Sequence, residues 1–454
     1  MTDSSTTAVR EIRDVYGRRY RVGETDRELI GRSRAWMIRL SWASMLAISL
    51  FQYGFGAAIP ALTGANGWSH GDAFAVLALW VVCQAGSSPL AAWWYRRLRA
   101  RPAVPMLVGA AGCLVALVTL GHSGDLATVL LGYSVLGGVG AGLVYMTCIA
   151  TVTEWFPERT AGRVGLVSGA FGYGALPFVA VAAYALGVDN RAAILDATAA
   201  VVFVVVATAA LLLRKPPAHW WPPHIDPQRW AVDRRLNRSI PNNTPAIRPH
   251  SPRAALRSGM LPIMFLVVVL TSGIALFDIA YLGGYARTAQ SAPLVLLASI
   301  GALAAATGIG RTVTSSLSDR FGRRRTLGLS LGLGAVAQFG LLASLHAEQT
   351  VAVVGFAALA GAGTGAGYSL MVSVVRDWFG GEANLTNYGI VYSGKAVGGV
   401  LGIWLAGLVV AAPGAIVASV VAGCLGLVGA LLTARLRQPG RPALPLPQHL
   451  RAGG

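Results

Sequence analysis

Two residues invite a chemical reading first. Lys395 closes the stretch Gly389-Ile-Val-Tyr-Ser-Gly394-Lys395-Ala396, one residue short of the phosphate-binding pattern G-x-x-x-x-G-K-[ST]. Arg311 ends the stretch Gly308-Ile-Gly-Arg. A phosphate loop needs a strand before it, a helix after it, and a hydroxyl for Mg²⁺ where this chain has Ala396. The surroundings point elsewhere. Lys395 is the only charged residue between Glu382 and Arg435, and Arg311 the only one between Arg287 and Asp319. A charge in such an apolar run costs ~3 kcal/mol at bilayer depth, so it implies a function. The competing explanation is snorkelling of a long side chain to the interface. Lys395 lies about 20 Å of helix beyond Glu382, too deep for easy escape, and Arg311 about 12 Å from Asp319.

The helix around Lys395 resembles a cavity wall. Tyr388, Tyr392, Lys395 and Gly399 step by four, three and four, so they share one face. Gly394, Gly398 and Gly402 follow at i+4 on the adjacent face, where they permit close helix contact. Gln52, Tyr53, Tyr145 and Tyr368 also fall near the middle of apolar runs. Each tyrosine alone is more simply a packing or interfacial residue, but several around two cations would make a binding site. Asp278, nearer the end of its run, either relays a proton, caps an outer gate, or sits hydrated near the headgroups. No histidine falls in mid-span, which argues against a histidine proton relay.

The elements that position these residues are membrane spans. The chain is 54% hydrophobic and only 12% charged, about half the charge of a soluble protein. Twelve apolar runs of bilayer length occur near 37–62, 70–94, 103–121, 126–154, 163–187, 192–213, 258–284, 290–316, 326–345, 350–378, 384–411 and 414–434. The fold class expected is therefore an all-α polytopic membrane protein. Its net charge of +18 follows topology rather than a nucleic-acid partner. Only Arg191 and Arg287 fall on one side and only Arg311 and Lys395 lie deep in spans; every other Lys and Arg is on the opposite side. That bias places both termini in the cytoplasm of a multi-pass protein of the cell (inner) membrane. No short apolar core precedes the first span, so no cleaved signal peptide is expected. The four cysteines match no metal spacing, and no cofactor is expected.

The spans form two repeats. An offset of 223 places Gly140 on Gly363, Gly142 on Gly365, Tyr145 on Tyr368, Glu154 on Asp377 and Trp155-Phe156 on Trp378-Phe379. Equal offset across six spans means parallel halves, a transporter architecture with its site at the midplane between them. The organisation expected is an N-terminal segment 1–36, halves 37–213 and 258–435, a linker 214–257 ordered in part at best, and a tail 436–454, with segment, linker and tail cytoplasmic. Lys395 falls on Gly172 in the first half, so the charge breaks the internal symmetry.

The loop Ser315-Ser-Leu-Ser-Asp319-Arg320-Phe-Gly322-Arg323-Arg324 resembles the G-x-L-x-D-R-x-G-R-R loop of the major facilitator superfamily, with Ser315 for the first glycine. That resemblance implies a gating role for Asp319, Arg320, Gly322 and Arg323. The first-half copy has Arg96 opposite Asp319 and has lost the carboxylate. Within the superfamily the chain resembles the oxalate/formate antiporter family, related to monocarboxylate transporters. The stretches that carry the resemblance are "GIGR", "NYGIVYSGKAVGGVLG", "EWFPERTAG" and "FQYG". It implies that Arg311 and Lys395 bind substrate carboxylates, enclosed by Gln52, Tyr53, Tyr145, Tyr368 and Tyr392. Many monocarboxylate carriers have a carboxylate one turn before the arginine. Here that position is Thr307, which speaks against an acid-paired, proton-coupled arginine.

The function expected is alternating-access transport of small mono- or dicarboxylates by anion exchange, with the bilayer, the substrate and a counter-anion or proton as partners, and no nucleotide. The alternatives are a proton-coupled exporter of amphipathic molecules and a transporter-like sensor. A membrane enzyme is disfavoured, since no nucleophile–base set or paired carboxylates are evident.

Overall fold

The structure is a computed structural model of the 454-residue chain and describes residues 9–97, 102–243, 245–246, 249–288, 293–381, 384–411 and 416–439. Of the tail expected at 436–454, residues 440–454 lie outside the described residues.

Twelve long helical segments follow one another where the apolar runs predict them. Spans one to six are Ala35–Asn66, His70–Arg97, Ala103–His122, Leu126–Trp155, Thr160–Tyr184 and Arg191–Leu212. Spans seven to twelve are the helices Met260–Thr288, Pro293–Phe321, Arg323–His346, Thr350–Phe379, Asn384–Ala411 and Ile416–Arg435. Eleven are apolar and long enough to cross a bilayer among the described residues. Span eight is 29 residues long and carries no charge before Arg311. Such helices satisfy their backbone groups internally, which hydrocarbon requires.

Four spans depart from regular α-helix: span two is broken by a turn at Ser87 and span five at Gly174–Ala175, and two others widen. Leu50–Gly54 in span one and Leu130–Gly137 in span four are π-helical, a widened turn common at functional sites. The first carries Gln52 and Tyr53.

The repeat read from the sequence is visible in the packing. A Cβ on Gly142 would collide with the carbonyl of Gln84 in span two, and one on Gly365 with that of Thr307 in span eight. Gln84 and Thr307 are themselves related by the 223-residue offset. The two halves therefore use small residues to close the same helix pair. Gly394, Gly398 and Gly402 pack against span seven, as their spacing predicts; a Cβ on Gly394 would lie 2.8 Å from the Phe265 carbonyl.

One expectation is corrected. Within its described residues, the linker 214–257 is ordered, because aromatic residues and asparagines fasten it at both ends. An N-terminal hairpin, Arg10–Arg13 paired with Arg19–Val22, turns on Asp14, which accepts from the Tyr16 and Arg18 amides, the Arg18 guanidinium and the Tyr20 hydroxyl. Burial raises the Tyr20 phenol well above its ordinary value, so it stays a neutral donor. The linker adds to this hairpin: Arg21 N donates to His219 O and Trp221 N to Arg21 O. Trp220 then stacks edge-on against Trp155 at the end of span four, ring centroids 5.0 Å apart. Farther along, Asn243, Ala246 and His250 bond to spans eight, nine and ten.

Candidate functional site

The seven residues expected to bind substrate converge where the halves meet, and all are buried. Lys395 Nζ donates to Gln52 Oε1 at 2.6 Å and Gln84 Oε1 at 2.9 Å, both across the interface in the first half. It lies over four aromatic rings, with Phe171 at 5.3 Å and Tyr368 at 5.9 Å from the centroid. Arg311 Nη1 crosses in the same direction, donating to Ser168 O at 3.0 Å and Ser168 Oγ at 3.2 Å. Its guanidinium carbon stands 4.6 Å from the Tyr368 centroid and 5.6 Å from that of Phe171. Both cations thus share the faces of Tyr368 and Phe171, and their separation cannot exceed the sum of either pair of distances.

The rings make a continuous wall. Tyr145 stacks on Tyr392 at 4.8 Å, Tyr53 meets Phe171 edge-on at 6.3 Å, and Tyr388 tilts against Tyr392 at 5.6 Å. Gln84 Nε2 donates to the Tyr392 hydroxyl at 3.2 Å. Aromatic faces attract cations and give a flat apolar enclosure to whatever binds between them.

Charge is not balanced in this cluster. Neither Arg311 nor Lys395 has an ion pair among the described residues. Arg311 Nε, Gln52 Nε2 and Trp80 Nε1 are buried donors with no hydrogen-bond acceptor among the described residues. Two buried cations that share the same ring faces repel by on the order of 2 kcal/mol at a protein-like effective dielectric. Unpaired buried donors beside them add a desolvation cost, which an acceptor-rich guest would relieve.

The halves close on each other on both sides of this cluster. Toward the termini, Arg96 Nη1 donates to Thr386 Oγ1 at 3.0 Å, and a Cβ on Gly389 would lie 3.2 Å from Pro89 Cα. On the far side, Gly56 of span one meets Ile279 and Gly283 of span seven; a Cβ on Gly283 would stand 2.5 Å from the Gly56 carbonyl. Span five closes on span eight, where a Cβ on Gly169 would lie 2.6 Å from the Gly308 carbonyl.

The residues expected to gate lie elsewhere, on the terminus side of the second half. Arg323 donates to Asp319 at 2.8 Å and to Asp377 of span ten at 2.9 Å, and to Ser318 Oγ at 2.6 Å. Gly322 takes φ 89° to start span nine, a left-handed conformation that favours glycine. Arg320 enters through its carbonyl, which accepts from Asn242. Asn243 of the linker inserts here: its Nδ2 donates to Ser318 O at 2.9 Å, and its Oδ1 accepts from Arg323 N at 2.9 Å.

Asp278 joins neither group. Gln338 of span nine donates to both of its carboxylate oxygens, at 2.6 and 2.7 Å, and the pair is buried within the second half.

Sequence reasoning missed Gln84, Ser168, Phe171 and Trp80. Gln84 had a signal, a carboxamide alone in an apolar span as Gln52 is. Ser168, Phe171 and Trp80 had none, being ordinary residues of helices.

Twelve helical segments in parallel halves, closed around a buried polar cluster at their interface, define a secondary-transporter architecture. The sequence profile described as the Major Facilitator Superfamily matches residues 41–310 and 263–452, and the chain belongs to that family. Among curated relatives, it is 24% identical over 321 residues to the oxalate:formate antiporter of Oxalobacter formigenes, covering 71% of this chain and 72% of the relative. It is 25% identical over 311 residues to the uncharacterized MFS-type transporter YhjX of Escherichia coli K12, covering 67% and 71%. Among solved structures, the fold is similar to the proton:xylose symporter XylE of E. coli, with TM-score 0.65, 13% identity, and coverage of 89% and 96%. It is also similar to the human organic anion transporter MFSD10, with TM-score 0.61, 15% identity, and coverage of 88% and 100%.

Proposed function

We propose that the protein carries small organic anions, mono- or dicarboxylates, across the cell membrane by exchange. The observation that carries this reading is a buried cluster at the interface of the halves, holding Arg311 and Lys395 with no carboxylate partner among the described residues. The likeness to an oxalate:formate antiporter supports it.

A carboxylate brings acceptor oxygens only, which is what the cluster lacks. Arg311 offers a planar fork for bidentate contact, and Lys395 a compact point charge. The Lys395 ammonium donates to the Gln52 and Gln84 oxygens. An entering carboxylate takes their place, and its second oxygen pair, or a second carboxylate, meets Arg311. Both cations hydrogen-bond to the first half from helices of the second, so substrate that neutralises them ties the halves together. Return of the empty carrier would leave two like charges facing each other in the closed interface. That penalty favours exchange over net flux.

Asp319, Arg323 and Asp377 hold the terminus side of the second half together, and we assign gating to that cluster with Arg320 and Gly322. The positive-inside bias supports placing this side in the cytoplasm. Asp278, paired with Gln338, is set apart from Arg311 and Lys395, and any proton it carries would act at a separate place.

The test is counterflow in proteoliposomes. Vesicles preloaded with unlabelled oxalate or formate should take up labelled oxalate rapidly, and empty vesicles should not. Equal uptake by both would remove exchange, and uptake of neither substrate would remove the carboxylate reading.

A further inference from the structure

We infer that the cleft between the start of span one and the end of span six binds the phosphate headgroup of an anionic phospholipid, a site distinct from the transport site. The cleft measures about 140 Å³ and is lined by Arg32, Arg214, Trp36, Met37, Leu40 and Leu212, with Ile30 at its edge. Its chemistry is graded. Arg32 and Arg214 stand at the rim, exposed and with no ion pair among the described residues, and no carboxylate lines the cleft. Leu40, Met37 and Leu212 make its inner wall.

Each rim group is held in place. Arg214 Nη1 donates to the carbonyls of Leu211 and Leu213, which fixes the guanidinium at the end of span six. Arg32 lies over the Trp36 ring at 5.7 Å, and Arg39 approaches the same ring at 5.3 Å. Trp36 itself is 39% exposed, as a tryptophan at a membrane interface is.

The apolar wall continues into the surface that faces lipid. Val201, Val204 and Leu211 of span six are each at least 60% exposed, and they lead along the helix to the cleft. A phospholipid with its acyl chains on that stripe brings its phosphate level with the two arginines. Basic pockets between spans on the side rich in Lys and Arg suit anionic headgroups. A zwitterionic lipid would set its own cation against them. A free phosphate would satisfy the arginines but leave the apolar wall unused.

The experiment is native mass spectrometry and thermal shift on the detergent-purified full chain, titrated with phosphatidylglycerol, phosphatidylcholine or inorganic phosphate. Phosphatidylglycerol should bind and raise the Tm, phosphatidylcholine should bind at least tenfold more weakly, and phosphate should leave the Tm unchanged. Arg32→Gln with Arg214→Gln should abolish the difference between the two lipids. Arg97→Gln, which removes another arginine lying over a tryptophan, should preserve it. Native masses report bound lipid even if a variant is less stable. Equal binding of the two lipids, an unchanged preference in the double variant, an equal loss in Arg97→Gln, or a matching shift with phosphate would each overturn the assignment.

Discussion

The two interfaces that join the halves are related by the repeat, yet they are built differently. Span five meets span eight in one, and span eleven meets span two in the other. The offset that maps Gly172 onto Lys395 also maps Ala85 onto Gly308. In the first interface, a Cβ on Gly172 would lie 2.5 Å from the Gly308 amide, so backbone meets backbone. In the second, Lys395 extends to Gln84, the neighbour of Ala85, and to Gln52. At the paired positions 172 and 395 one interface is sealed by glycine and the other holds a charge, while Arg311 enters the first interface one turn beyond Gly308, at Ser168. The duplicated scaffold supplies the closure, and the departure from symmetry supplies the chemistry.

The largest expected effect comes from removing that departure. Lys395→Ala should lower carboxylate counterflow at least 100-fold in proteoliposomes while the protein still elutes as a folded species. A buried charge contact to a ligand is worth roughly 2–5 kcal/mol, about 30-fold to several thousand-fold, and the full burial of Lys395 puts it above the lower end. Arg311→Lys should cost about tenfold to 100-fold. It keeps the charge but loses the planar fork and the reach to Ser168, so the loss should be greater for a dicarboxylate than for formate.

The sealed interface should fail in another way. Gly172→Ala places a methyl against Gly308, and overpacking of this kind costs about 1–3 kcal/mol. A lowered Tm and slower counterflow are expected, with substrate affinity nearly unchanged. A fall in affinity equal to that of Lys395→Ala would mean that the two interfaces do not divide these tasks.

Smaller effects follow from the terminus side, where the halves also differ. Arg323 joins Asp319 and Asp377 in the second half. In the first, Glu154, the mate of Asp377, bonds the Tyr95 hydroxyl at 3.0 Å and pairs with linker Lys215 at 3.5 Å. The linker thus supplies the cation that the first half's own loop does not contribute among the described residues, and it sends Asn243 into the other cluster. Asn243→Ala should change the counterflow rate about two- to fivefold by loosening that closure, with no change in substrate preference. The smallest effect belongs to Asp278→Asn. It preserves a side chain that can bond Gln338, and counterflow should stay within about twofold of wild type.

Much of this was legible in the sequence, and the reasons are physical. A charge in an apolar run stands out because hydrocarbon tolerates few, so Arg311 and Lys395 declared themselves. Helical periodicity placed Tyr388 and Tyr392 beside Lys395, and the repeat gave the span order. Phe171 was not legible, because only tertiary packing sets it beneath both cations. Gln52 could be read as polar, but the π-helical turn that carries it and its bond to Lys395 required the fold. The linker was misjudged since its prolines and arginines suggest a loose strand of chain. Its order comes from Trp220, which bonds Glu24, Trp221, which meets Tyr20, and Asn243, which bonds Ser318, all partners far away in sequence.

The central claim, that Arg311 and Lys395 form one binding site for a carboxylate, is tested most directly by isothermal titration of oxalate into the purified protein. Wild type should bind a single oxalate, and both Lys395→Gln and Arg311→Gln should reduce affinity at least tenfold, with no further tenfold loss when combined. Oxalate affinity unchanged in either single variant would contradict it.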